Sequence, residues 1–529
     1  MRFPRINRTE RSAVADQSVR TARSTTARYG PWLLALGLFL IYCADSVSRY
    51  YRAAPGSYDL GIFTEAVKQY AHFDAPVVDI LAPGFDLLGD HFHPIIAVIG
   101  PFFLLFPSPV TLLVAQALLF AVAAVPLVWL GRERIGSGAG YAIGVAYGLS
   151  FGVAQAVDFD FHEIAFAVPL LAFALWAMLE NRYRTMVACC FLLLLCKEDI
   201  GLTFVLPFGI AVILRGRLRL GAGIAAMGTA GSLLAIYWII PHFNPQHVYT
   251  YWGKNSCVGT KTGVAHGNPV SCLWDSAANS AGSKIELVFL LLSVVAFTAL
   301  RSPLGLFIVP NLGLRFISSD SSFWGTAYHY NAVLMPVLCV AAIDAIERAR
   351  RAAPLDAVVP QDSGGDAVEA AGEEPAEAAA PVAVGPPWWR RWAHAVSRAM
   401  GRHGAVAALA ASVAMVPQFA FSQFFSPNTF SFDARTSELR HAVSVVPSNV
   451  TVEGTINVLA PLAAKDDTFW IGNVGNPAVQ YVLLDTVASG FSQTINDPIQ
   501  FVEQRHPGTV YEVVWSDSYG IYVLEKTSG

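Results

Sequence analysis

Charge is what this sequence has least of. Asp, Glu, Lys and Arg make up only 14% of its 529 residues, and 54% are hydrophobic, whereas a soluble chain is nearer a quarter charged. The shortage is uneven. Runs such as 31–44, 110–131 and 285–300 carry almost no charge, and short charged clusters separate them. Buried helices of a large soluble protein would need a polar face on most of them, and these runs are apolar all round. A bilayer core takes about 20 apolar residues per crossing. Lipid offers the backbone no other hydrogen-bond partner, so the runs are helices.

Other absences narrow the class further. There is no disulfide framework. Cys43, Cys189, Cys190, Cys196 and Cys339 lie in apolar runs and read as small packing residues. Cys257 and Cys272 instead flank a polar loop, and if that loop is exported a disulfide between them is expected. No cleavable signal is visible, because residues 1–29 hold seven arginines and two acids. The first apolar run then serves as an uncleaved anchor. No internal repeat of fixed period is present. The net charge is −4, and no nucleic-acid partner is expected.

What is present is arginine in short loops, which stay cytoplasmic. The arm 1–29 sets the N-terminus inside. About eleven membrane helices follow, at about 31–48, 110–130, 138–157, 164–179, 185–196, 200–214, 221–240, 284–300, 304–317, 330–346 and 404–421. Residues 94–107 are apolar but short, and read as a helix lying in the interface. Each return to the inner side then lands on arginine. The transmembrane domain covers 30–350. Residues 351–387, rich in Ala, Pro, Glu and Gly, read as a disordered cytoplasmic linker. Residues 388–421 form an interfacial Trp/Arg anchor and the last helix. The tail 422–529 is expected outside as a small α/β domain, with strands at 450–456, 479–486, 510–516 and 520–525 and helices at 437–446 and 496–505.

This orientation gathers the polar chemistry on the outer face of what is expected to be a bacterial plasma membrane. Asp59 stands in SYDLGIF, and Asp90, His91 and His93 in GDHFHP. Asp158, Asp160, His162 and Glu163 stand in DFDFHE, Lys197, Glu198 and Asp199 in KED, and His329 and Tyr330 in YHY. Ionisable groups beside membrane helices are costly and often functional. Each motif also has a plain structural reading: a cap, a turn, a helix N-terminus or an aromatic belt. KED is the oddest, since it lies between two apolar runs with almost no loop. Asp/His clusters hold divalent cations, a carboxylate can act as general base, and a lysine meets phosphate as a point charge.

YDLGIF, GDHFHP, DFHE, KED and YHY, in this order, resemble a family of bacterial polytopic membrane proteins of unknown function, grouped with the GT-C superfamily of membrane glycosyltransferases. The likeness is close over about 50–350 and loose from about 432. It implies a polyprenyl-phosphate-linked sugar as donor and an acidic residue of the first outer loop as base or metal ligand, the place that Asp59 holds. Asp90 is the alternative. Lys197 resembles the lysine near the donor phosphate. His91, His93, Glu163, Glu198, His329 and Tyr330 join it as substrate-binding candidates. The first loop lacks an Asp-x-Asp. Asp158 and Asp160 are the candidate ligands of a divalent cation, Mg or Mn, and metal dependence stays open.

The leading expectation is therefore a GT-C-like sugar transfer to a cell-envelope glycan, lipid or protein at the outer surface of the bilayer. A transporter or flippase of an envelope precursor, or a non-catalytic scaffold, is the alternative. Transporters carry repeats and mid-membrane sites, and neither is seen.

Overall fold

A computed structural model of the chain describes residues 8–52, 58–254, 269–352, 388–487 and 495–529. Cys257, and with it the expected bridge to Cys272, lies outside them, as do residues 353–387 of the expected linker.

Every expected crossing lands on helix. The first is Arg8–Tyr51, the second Pro109–Ile135, and the last Trp388–Met415. Not all are full-length. Among the described residues, four helices are long and apolar enough to cross a membrane: Arg28–Tyr51, Pro109–Ile135, Leu218–Phe243 and Trp392–Gln418. A fifth joins them if Ser137–Gly148 and Phe151–Asp158, bent by 41°, form one span. Ile164–Leu179, Tyr183–Leu193, Gly201–Leu214 and Pro303–Phe316 are shorter apolar helices. Their winding is also uneven. Proline opens new helical pieces at Pro207, Pro303 and Pro310, where a missing N–H is harmless. Wide turns at Gly201–Val205 and Ala235–Ile239 interrupt regular winding. Pro94–Leu105 is too short to cross: it buries Ile95, Ile96, Ile99 and Phe103 and turns Phe102, Leu104 and Leu105 outward.

The tail forms one five-stranded sheet of β1 (Thr451–Gly454), β2 (Asp467–Trp470), β3 (Tyr481–Asp485), β4 (Val510–Ser516) and β5 (Ile521–Ser528), in the order β2-β1-β3-β5-β4. β1 pairs parallel with β2 and β3, and β5 pairs antiparallel with β3 and β4. Helices Ala434–Val445 and Pro498–Arg505 start on Asp433 and Asp497, whose side chains accept from Thr436 and Gln500 N–H. The short β2 escapes sequence reading because it begins within the charged stretch Lys465–Asp467.

The tail packs on the helix Tyr58–Ala71, which carries YDLGIF. A methyl group at Gly61 would stand 3.1 Å from Leu459 Cβ and 3.0 Å from Ile80 Cδ1, so glycine sets how closely the two parts approach. Tyr58 meets Trp470 edge-on at 5.0 Å, and Asn473 donates to the Ile80 carbonyl at 2.9 Å. Leu459, Ala460 and Ala463 join the same buried apolar core as the membrane helices.

Candidate active site

The helix Tyr58–Ala71 is anchored at its start by the DFDFHE loop. Buried Asp160 accepts from the Leu60 N–H at 3.3 Å and from Arg49 Nη1 at 3.3 Å. Arg49 Nε also lies 3.8 Å from Asp158 Oδ1. Gln423 Nε2 donates to Asp158 (2.8 Å) and Asp45 (2.6 Å), and Arg52 donates to Gln423 Oε1 at 2.6 Å. Burial pushes the Asp160 carboxyl up to about 6, against the pull of Arg49.

Fixing that helix start places Asp59 3.5 Å from His162 Nε2. His162 is held in turn: Gln116 Oε1 accepts from its backbone N–H at 3.1 Å, and its ring stacks on His329 at 3.7 Å. His329 stands 4.2 Å from Tyr330. The Asp59 side chain is 36% exposed, whereas that of His162 is 9% exposed. A group that must meet an incoming substrate needs that opening.

The KED motif completes the cluster. Lys197 Nζ lies 2.8 Å from Glu163 Oε1. Glu198 takes His91 Nδ1 at 2.7 Å, the Phe92 N–H at 3.2 Å and the Tyr249 hydroxyl at 3.0 Å. Asp90 accepts from the Tyr251 hydroxyl at 3.3 Å, and Tyr251 lies against His91 at 4.2 Å. Burial alone would raise both glutamates. The neighbouring cations outweigh it, so Glu198 falls to about 2 and Glu163 lies well below the carboxylate range. Burial moves His93 the other way for a base, down to about 4. Gly89 explains how GDHFHP reaches Glu198: a Cβ there would come within 2.7 Å of the Phe243 backbone, and Asn244 Nδ2 bonds the Gly89 carbonyl at 2.9 Å.

Beside these residues lies a cavity of about 190 Å³. Lys197 and Arg315 bring cations to its lining, Glu198 and Asp199 carboxylates, His91 and His329 imidazoles, and Tyr249, Tyr251 and Tyr330 hydroxyls, while Ile164, Phe204, Leu314 and Val333 make an apolar wall. Arg315 is buried and bonded to the Tyr330 carbonyl (3.2 Å) and Asn331 (2.8 Å). Cationic donors beside an apolar wall suit a phosphate that carries a lipid chain.

The five sequence motifs therefore meet in one contact network at one end of the bundle. They do not all face one space. Asp59, Asp90, Asp158 and Asp160 are absent from the lining of the Lys197 cavity, and Asp158 and Asp160 instead share Arg49. Among the described residues no group of three or more His, Cys, Asp or Glu side chains is placed to hold a metal ion. The Asp158–Asp160 pair holds the Arg49 guanidinium. Sequence reading missed Arg49, Gln116, Tyr249, Tyr251, Arg315 and Gln423. Of these, only Arg315 carries a signal, as a lone cation inside an apolar run.

Similarity to known proteins follows the same lines. No curated protein matches the chain. A solved structure that does is the crystal structure of ArnT from Cupriavidus metallidurans bound to undecaprenyl phosphate. It is 15% identical, with a TM-score of 0.52, and the match covers 94% of this chain and 98% of that one. The likeness shows a GT-C type of fold. The model of a predicted membrane protein family, DUF2079, matches residues 49–512. This multi-pass membrane chain belongs to the DUF2079 family.

Proposed function

We propose that the protein transfers a sugar, with inversion, from a polyprenyl-phosphate donor to a cell-envelope acceptor at the outer face of the bacterial plasma membrane. One observation carries this reading: the accessible carboxylate of Asp59, oriented by His162, stands in the same contact network as the Lys197–Arg315 cavity. The lipid phosphate in the ArnT structure supports the donor class.

In the proposed step the acceptor hydroxyl oxygen attacks the anomeric carbon. The carbon–oxygen bond to the phosphate breaks, and its electron pair leaves with the polyprenyl phosphate. The hydroxyl proton passes to Asp59. Lys197 and Arg315 stabilise the charge that grows on the phosphate, fixed in place before reaction by Glu163 and Asn331. Ile164, Phe204, Leu314 and Val333 take the first isoprene units. The tail, packed on the helix that bears Asp59, borders the acceptor side.

Comparison of lipid-linked sugars and envelope glycans between a deletion strain and its parent tests this. The expected result is accumulation of one polyprenyl-phosphate sugar and loss of that sugar from an envelope component. Unchanged pools of both would overturn the proposal.

A further inference from the structure

At the opposite end of the bundle lies a second cavity, of about 560 Å³. The helix Pro109–Ile135 links the two ends. Gln116, which holds His162, and Arg134, which lines this second cavity, are about 27 Å apart at 1.5 Å per residue. Five arginines line it, Arg134, Arg215, Arg217, Arg348 and Arg351, against two carboxylates, Asp344 and Glu347.

The carboxylates are already engaged. Arg348 pairs with Asp344 at 2.7 Å, Arg351 pairs with Glu347, and Arg134 lies 2.7 Å from Glu180 and 3.5 Å from Glu347. Arg215 and Arg217 have other roles. Arg215 Nη1 bonds the Met178 carbonyl at 2.7 Å, and the Arg217 guanidinium lies 4.5 Å above the Tyr183 ring. Gly216 between them has φ +82°, the left-handed turn that folds both side chains to one side. The flanking leucines, Leu214 and Leu218, are 81% and 66% exposed. In a membrane chain those two face acyl chains, so the arginines between them sit at headgroup depth.

We infer that this cavity binds the phosphate headgroup of an anionic membrane lipid, held by Arg215 and Arg217, with acyl chains along Leu214 and Leu218. The site is independent of the transfer reaction. Neutralised carboxylates leave a net positive cavity, and two guanidiniums offer the paired donors that phosphate oxygens accept. The apolar flanks favour a lipid over a free ion.

Binding of fluorescent phosphatidylglycerol and phosphatidylcholine to the purified full-length protein in detergent tests this. Phosphatidylglycerol is expected to bind at least tenfold tighter than phosphatidylcholine. The double variant R215Q/R217Q is expected to lose that preference, and R217K, which keeps the charge without the paired donors, to weaken it. Arg219→Gln, on the same turn but outside the cavity, is expected to bind as the parent does. Equal weakening by Arg219→Gln would show a diffuse basic surface and overturn the site. Displacement of the lipid by equimolar inorganic phosphate would show a free-ion site and overturn the lipid assignment. Melting temperature is read in parallel, since glutamine also removes the Arg215 bond to Met178 and the Arg217 contact with Tyr183, and lipid preference is compared between folded proteins.

Discussion

Lys197 and Glu163 form an ion pair of 2.8 Å in which the carboxylate is 1% exposed and the lysine 19%. Removing one partner of a buried pair leaves the other charge without compensation, at about 3–5 kcal/mol. Lys197→Met is therefore expected to lower the unfolding temperature sharply. The double variant Lys197→Met/Glu163→Gln removes the stranded charge and is expected to recover most of that stability without recovering transfer. Thermal unfolding in detergent, beside a transfer assay, separates the two roles. Recovery of both together would make the pair purely structural.

His93 gives a pH signature. Its folded pKa, about 4, lies below the ordinary 6.5 because burial disfavours the imidazolium. Stability from neutral His93 is fully present above pH 6.5 and is lost as pH falls towards 4. The loss is on the order of 3 kcal/mol for a shift of this size. Other groups titrate in the same window, so the readout is the difference between parent and His93→Asn. That difference is expected to shrink as pH falls from 7 to 4. A pH-independent difference would contradict it.

Glycine positions rank by what a methyl group would strike. At Gly89 it meets the Phe243 backbone at 2.7 Å, which cannot turn aside, and at Gly61 the nearest contacts are side chains at 3.0 and 3.1 Å. Gly61→Ala is expected to cost about 1–3 kcal/mol, and Gly89→Ala more. Unfolding midpoints check the order. A Gly89→Ala variant as stable as the parent would contradict it.

Arg49 supplies the positive charge between Asp158 and Asp160. Transfer is expected to persist in EDTA and to fall about tenfold in Arg49→Gln, a loss of about 1.4 kcal/mol in the barrier. Loss in EDTA with rescue by Mg or Mn would return the pair to metal binding.

Much of this fold was legible because bilayer chemistry is strict. Uncharged runs must be helices, and each of the eleven falls mainly on helix, with breaks such as 149–150, 295–297 and 330–333. Their winding was less legible, since proline and wide turns change the local helix geometry without changing hydropathy. The motifs named residues that the fold brings together: Asp59 meets His162 and through it His329, Glu163 meets Lys197, and Glu198 meets His91. Their partners were hidden for a physical reason. Gln423, Tyr249 and Tyr251 come from segments far along the chain and carry ordinary polar side chains. Arg49 and Arg52 run against the arginine rule as it was applied to the loops, and their bonds to Asp160 and Gln423 give them a structural role instead. The Asp158-x-Asp160 spacing suggested a metal, and spacing does not show the Arg49 guanidinium that lies within 3.8 Å of both carboxylates.

Consumption of donor by Asp59→Asn tests the proposed transfer most directly. Lipid-linked sugars extracted from a deletion strain are added to membranes of that strain carrying either the parent protein or the variant at equal level. The substitution keeps side-chain size at a partly exposed position, so folding is expected to hold. The parent is expected to consume the donor and label an envelope acceptor, and Asp59→Asn to lose at least a hundredfold in rate, as for removal of a general base. Equal consumption by both proteins would contradict the assignment of Asp59 as the base.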